Sequence, residues 1–396
     1  MKHLVFCWEF GEGYGHVAGF RKIAQELKKN GVKVTWILRH LDFAHLVQDE
    51  QDDVFQAPHT RSTNAGKEAT LSYSHMLSFL GYSNQQLLLN LVTTWRQLLS
   101  MINADMIVAD HAPTALIAAK TLNIKSAMIG TGFFSPPRMD VLPQFCVFPD
   151  QPMEKLKQFD QVFVDTVNHS LSHFNFAPIK SATDIFSVEE DFLCTFAELD
   201  HYPNRPDAQY WGARFSNEMG KPVNYKTAKY RIFVYMHQRS EQYLNIMECL
   251  NSVDAEVIAH IPKIDVSQAA LTYPNITFFP EPANMQSVLE QVDLVVCNGG
   301  HGTVAATLLA GVRILMLPIQ LEQMLLSQLL TRRGLGAHLS ANESKIRVKQ
   351  MLEHLLQDTN IELNVKRFSD YYAGYTSELQ SNEILSRCLE ILNESS

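Results

Sequence analysis

The chain has 396 residues, 46% of them hydrophobic and 19% charged, with a formal net charge of −9; this is more than one hydrophobic core usually organises, so two domains of about 150 to 200 residues are expected. The acidic balance and the lack of any Lys/Arg-rich run exclude nucleic acid as a partner, and no apolar stretch approaches the roughly 18 residues that span a bilayer. The six cysteines are scattered without metal-like spacing, and "MKHLVFCWEFGEG" is too short in its apolar run for a signal peptide, so a cytoplasmic protein with reduced thiols and no integral membrane segment is expected.

In chain order, "HLVFCW" (3–8) predicts a buried strand. After the loop "EFGEGYGHVAGF", Val17, Phe20, Ile23, Ala24 and Leu27 recur at helical spacing, and Asn30-Gly31 supplies a stop. "VKVTWIL" (32–38) predicts the next strand. The unit repeats in "ADMIVAD" (104–110), a Pro113-started helix over 112–122 and "SAMIG" (126–130), which implies a parallel, doubly wound sheet. The region 131–200 is less legible and is expected to shape a substrate pocket. Within it His169 and His173 are four apart, on one face if helical, but no third ligand accompanies them. The stretch 202–229 carries three prolines and two glycines and reads as a linker. Beyond it "YRIFVYM" (230–236), a helix over 240–251, "AEVIAH" (255–260), "ITFFP" (276–280), "VDLVVC" (292–297), "RILMLP" (313–318) and a helix over 321–332 predict a second α/β domain.

Two glycine loops carry the chemistry. Gly11, Gly13 and Gly15 allow either a dinucleotide phosphate cradle or an approach to His16 at a helix start. The spacing is G-x-G-x-G rather than G-x-G-x-x-G, and the second strand ends in Arg39 and His40 where a ribose-binding acid belongs, so the dinucleotide reading is weak. In the second loop a buried strand runs into Gly299-Gly300-His301-Gly302-Thr303 and then directly into an apolar helix. Backbone N–H groups and the positive end of the helix dipole converge there, a geometry that takes a diphosphate; the plain alternative is a tight strand-to-helix turn.

On these residues the chain resembles the nucleotide-sugar glycosyltransferases of the GT-B fold, the UDP-glycosyltransferase-like group with bacterial natural-product members. That group's donor motif, H-G-G-x-G-T, then Ala-Gly-Val, a strand ending in Pro and an acidic residue before Gln, is met by Asn298 to Thr303, Ala310-Gly311-Val312, Pro318 and Glu322-Gln323. Its first-loop G-H-x-x-P is met by Gly15-His16, and its Asp before a Pro-started helix by Asp110 in "VADHAP". The resemblance implies two Rossmann-like, doubly wound parallel-sheet domains facing a cleft. These are an acceptor-binding domain over 1–210, a linker over 211–228, a nucleotide-sugar-binding domain over 229–365, and a segment over 366–396 that packs back on the first domain.

It also implies a function: inverting, metal-independent transfer of a hexose from a nucleotide-diphosphate sugar to a hydroxyl of a small, hydrophobic or lipid-like acceptor, with no cofactor beyond the co-substrate. His16 is then the general base and Asp110 its holder. Asn298, Gly299, Gly300, His301, Gly302, Thr303 and Ser240 hold the diphosphate, Glu322 and Gln323 the donor sugar, and Pro280-Glu281 the nucleotide base. The chain departs from the family at Asn298 (usually His), Ala306 (Glu in plant members), Gly19 (usually Pro) and "MHQRS" (236–240), where a small Ser/Gly contact is usual and Arg239 or Ser240 would substitute. These departures motivate the alternative of a catalytically silent sugar-nucleotide or lipid-binding relative. A nucleotide-sugar 2-epimerase of similar fold lacks its motifs here.

Overall fold

Six short runs rich in β-branched and aromatic residues form the strands of the first unit: β1 His3–Trp8, β2 Lys33–Leu38, β3 Asp53–Gln56, β4 Met106–Asp110, β5 Lys125–Gly130 and β6 Glu190–Leu193. The computed structural model describes every residue except 14, 50–51, 61–68, 146–149, 203–204, 216–219, 239–241 and 395–396. All neighbouring strands are parallel, in the order β3-β2-β1-β4-β5-β6. A parallel sheet must be covered on both faces, which is why β1 and β4 are buried at every position. The helix Gly15–Lys29 covers one face with Val17, Phe20, Ile23, Ala24 and Leu27, the five positions its periodicity predicts. The last helix, Ser377–Asn393, inserts Ile384, Cys388, Ile391 and Leu392 into the same core. There Lys125 Nζ donates to the Ile391 carbonyl at 2.7 Å.

The first unit comprises Met1–Arg214 and Thr376–Ser396, and the second Phe215–Tyr375. Residues 210–214, which read as linker, are tied down. Tyr210 bridges to Leu193 at the end of β6, Trp211 N–H donates to the Leu193 carbonyl at 3.0 Å, and Gly212 N–H to the Thr195 carbonyl at 3.1 Å. Gln380 of the last helix donates to the Trp211 carbonyl at 2.9 Å. The region 131–200 holds one long helix, Met153–His173, with His169 and His173 exposed near its end. Among the described residues no group of three or more His, Cys, Asp or Glu is placed to hold a metal ion, and no helix is long and apolar enough to cross a membrane.

The second unit repeats the plan with β7 Arg231–Tyr235, β8 Glu256–His260, β9 Ile276–Phe278, β10 Leu294–Cys297, β11 Arg313–Met316 and β12 Ala337–His338. The order β12-β11-β10-β7-β8-β9 is the same doubly wound topology. The helix Thr359–Tyr371 belongs to this unit, where Ser369 donates to the Leu309 carbonyl at 2.6 Å. In a doubly wound sheet the chain direction of winding reverses once, and the loops leaving the two strands at that point splay apart to leave a crevice. The reversal falls between β1 and β4 in the first sheet and between β7 and β10 in the second.

Candidate active site

The crevice of the first unit is built from the loops after β1 and β4, whose ends are in register, Trp8 opposite Asp110. Asp110, the last residue of β4, is completely buried. His16, in the first turn of the helix Gly15–Lys29, approaches it with Nδ1 2.7 Å from Asp110 Oδ1. Burial alone would raise the Asp110 pKa, but His16 and Arg214 outweigh it, and the carboxyl is held below its ordinary value. An ionised Asp110 accepts the Nδ1 proton and so leaves Nε2 as the basic nitrogen of a neutral ring. The ring stacks on Trp8 at 5.1 Å between centroids and keeps 12% of its side chain exposed.

Gly11 explains itself here. Its φ is +93°, and a Cβ built on it would lie 2.3 Å from His16 Nε2. No side chain at position 11 is compatible with a clear Nε2. Gly11→Ala is expected to destabilise the first unit by about 2 to 4 kcal/mol, from left-handed strain plus the ring clash. Urea unfolding followed by tryptophan fluorescence checks this, since all four tryptophans (8, 36, 95 and 211) lie in that unit.

Three residues not singled out by the sequence complete this crevice. Arg214 Nη2 donates to the second Asp110 oxygen, Oδ2, at 2.6 Å. His111 follows Asp110 with φ +44° and stacks on Phe134 at 4.7 Å. Burial pushes its pKa down to about 3, so it is neutral, and its Nε2 is buried without a hydrogen-bond partner. It lines a small apolar cavity with Tyr73, Leu116, Met128, Phe134 and Phe186. Glu9 ends the first strand's run into the loop, fully buried, accepting from Thr114 N at 2.9 Å and from the Thr114 hydroxyl at 2.5 Å.

In the second unit the corresponding crevice is formed by the loops after β7 and β10. Asn298-Gly299-Gly300 leads into the helix His301–Leu309, whose first turn no side chain caps. Gly299 has φ +80° and faces Ser327 so closely that a Cβ would meet its hydroxyl at 2.7 Å, whereas Gly300 faces open space. His301, Gly302 and Thr303 form the half-buried first turn, and their N–H groups point along the dipole's positive end. Asn298, expected as a phosphate contact, has backbone partners on both ends of its amide. It is buried, its Oδ1 accepts from His237 N at 2.7 Å and its Nδ2 donates to the Leu317 carbonyl at 2.8 Å, so the amide braces the loops after β7 and β11.

Glu322 and Gln323 occupy the first turn of the helix Leu321–Arg332, half-buried, with Gln323 Oε1 accepting from Ile319 N at 3.0 Å. Pro280 and Glu281 are exposed beyond β9, and Glu281 pairs with Lys221 at 2.7 Å. Ser240 and Arg239 lie outside the described residues. A groove of this unit, at Lys229, Asp254, His354 and Thr359, opens at the opposite, N-terminal edge of the sheet.

Residues 244–391 match the family model described as "Erythromycin biosynthesis protein CIII-like, C-terminal domain". No curated protein matches the chain by sequence. Among solved structures, the glycosyltransferase of kitacinnamycin is similar at TM-score 0.69 and 16% identity, covering 98% of each chain. Glycosyltransferase VinC in complex with dTDP is similar at TM-score 0.68 and 12% identity over 100% of both. Spinosyn rhamnosyltransferase SpnG complexed with spinosyn aglycone is similar at TM-score 0.65 and 15% identity, covering 98% of this chain and 100% of that one. The two doubly wound units thus have the GT-B fold seen in natural-product glycosyltransferases, and residues 244–391 match the EryCIII-like carboxy-terminal domain model.

Proposed function

We propose that the chain is an inverting glycosyltransferase that moves a hexose from a nucleotide-diphosphate sugar to a hydroxyl of a small hydrophobic acceptor. The observation that carries this reading is the 2.7 Å bond from His16 to a buried, ionised Asp110 beside a glycine that keeps Nε2 clear. As the acceptor oxygen attacks the anomeric carbon, its proton passes to His16 Nε2, and the imidazolium formed is stabilised by Asp110. The bond from the anomeric carbon to the diphosphate breaks on the opposite face, and the leaving charge is met by the uncapped turn at His301-Gly302-Thr303. Glu322 and Gln323 hold the sugar's hydroxyls, and Pro280-Glu281 borders the nucleotide base. The scheme calls on no metal and no resident cofactor, and we place it in the cytoplasm.

The similarity to structures that hold dTDP and an aglycone supports both ligand classes. The aromatic rings of Trp8 and Phe134 that flank His16 support a hydrophobic acceptor, with lipid-like chains included. A second reading, a silent sugar-nucleotide or lipid-binding relative, draws on one observation: Asn298 is engaged with backbone on both sides where the family has a phosphate-binding His.

A panel of nucleotide sugars screened by thermal shift tests the donor half. One donor at a hundred times its Kd is expected to raise Tm by about 5 to 10 °C. Thr303→Ala is expected to weaken that donor about tenfold by calorimetry, through loss of a hydroxyl aimed at charge. If no donor stabilises the chain, or Thr303→Ala binds it unchanged, the diphosphate assignment fails. A donor that binds but is never transferred or hydrolysed supports the silent relative.

A further inference from the structure

We propose that Arg214 is a positioning residue of the His16–Asp110 pair, and that Gly19 is a glycine so that Arg214 can reach it. The inference rests on the proposed role of His16 as base. It begins with an anomaly: Gly19 lies inside the helix Gly15–Lys29, where glycine costs about 1 kcal/mol against alanine. A Cβ at position 19 would meet the Arg214 side chain at 2.9 Å (Cδ), 3.0 Å (Cβ) and 3.3 Å (Nε). The space that glycine leaves is therefore the space that Arg214 fills.

What Arg214 does there follows from charge. Asp110 is fully buried and has His16 on Oδ1 and Arg214 on Oδ2, at 2.7 and 2.6 Å. A buried carboxylate with imidazole as its one partner strongly favours the imidazolium, which is a base already occupied. With a permanent guanidinium on its other oxygen, the carboxylate's charge is shared, and the neutral ring is favoured. The bond from Nη2 also ties down Oδ2, so that Oδ1 is left facing Nδ1 of His16.

Three other titratable groups around the pair carry no charge near neutral pH, and the one that does is directed elsewhere. His111, on the residue after Asp110, is held neutral with its pKa near 3, and Glu9, at the end of β1, keeps its proton to about 8. Cys194, after β6, has its thiol pushed up to about 12. Arg39 is charged but is turned to the Glu9 carbonyl at 2.9 Å. Trp8 and Phe134 supply the apolar walls of the ring.

The test is a pH titration of the full chain carrying ¹³C-labelled histidine, with the His16 signal assigned by its loss in His16→Gln. In Arg214→Met the pH at which the pair takes up its proton is expected to move up by about one unit, and in Arg214→Lys by much less. Gly19→Ala, which displaces the guanidinium while improving helix propensity, is expected to move it up by about half a unit. An unchanged midpoint in Arg214→Met overturns the proposal. If that variant does not fold, Gly19→Ala decides, an upward shift supporting the proposal and an unchanged one overturning it. In a transfer assay the acid limb of kcat is expected to follow the same shift while KM for the donor stays constant. The titration needs no substrate, so a shifted midpoint in a chain that transfers nothing sustains the role of Arg214 and sinks the transferase reading instead.

Discussion

His16→Ala is expected to lower kcat by roughly 10²- to 10⁴-fold while leaving the donor's Kd unchanged. The two halves of that result come from different parts of the chain. An acceptor hydroxyl at neutral pH keeps its proton, so attack without a base develops an oxonium that must lose the proton later at high energy. On the proposed reading Nε2, left free by the Nδ1 bond to Asp110, takes that proton as the bond forms. The donor, on the proposed reading, is held by the turn at Gly300 to Thr303 in the second unit, which shares no residue with the His16 crevice. The variant is also expected to lose the acid limb of its pH–rate profile, because the group whose protonation produces that limb is gone. Equal turnover in His16→Ala, or a donor Kd that changes in step with kcat, removes His16 as the base.

Much of this arrangement was legible before any coordinates, and the reasons are physical. Strands β1, β4, β7 and β10 lie at the centres of their sheets, and burial on both faces makes them near-continuous apolar runs that stand out in sequence. The loops at the reversal points carry glycines because backbone must turn sharply there, and Gly11 and Gly299 do take positive φ. His16 and Asp110 were recognisable as a pair only because a known family pattern joined them; 94 residues separate them, and nothing in spacing or periodicity does so.

The parts that stayed hidden share a different physics. The edge strands "DVFQ" and "EDFL" are short and half-exposed, so their apolar content falls below what separates a strand from a loop. Residues 210–214 have linker composition, yet they pair with the end of β6 through backbone atoms, which composition does not reveal. Arg214 was lost with them. Its one trace in the sequence was indirect, a glycine at position 19 where the family has proline. The bracing role of Asn298 was hidden for the converse reason: an amide next to glycines looks turned to a ligand, and nothing in composition shows that its oxygen accepts from His237 N while its nitrogen donates to the Leu317 carbonyl.

Glu9 is expected to make the stability of the first unit fall as pH rises, and Glu9→Gln is expected to abolish that fall. Burial drives its pKa from an ordinary 4.5 up to about 8, against the opposing pull of the Thr114 hydrogen bonds and the charge of Arg39. Between those two values the unfolded chain has released the proton and the folded chain has not, so folding takes up a proton and stability declines with rising pH. The contribution is complete below about 4.5 and is lost by the time pH passes about 8. The full span is on the order of 3 to 5 kcal/mol, large against the total stability of a domain. Protonation of Glu9 reverses one bond and keeps the other: Oε2 goes on accepting from Thr114 N, while the bond that Thr114 Oγ1 donates to the carboxylate becomes one that the Glu9 hydroxyl donates, with the Thr114 hydroxyl turned to the Tyr82 oxygen 2.7 Å away. Glutamine reproduces that pattern with an N–H donor and does not titrate. Urea unfolding followed by tryptophan fluorescence at pH 5, 6, 7 and 8 should therefore show two curves that start close together and separate, with Glu9→Gln the more stable at the alkaline end. Parallel curves would mean that Glu9 is ionised in the folded protein, held by the amides at the start of the helix Pro113–Leu122 and by Arg39 more strongly than burial repels it.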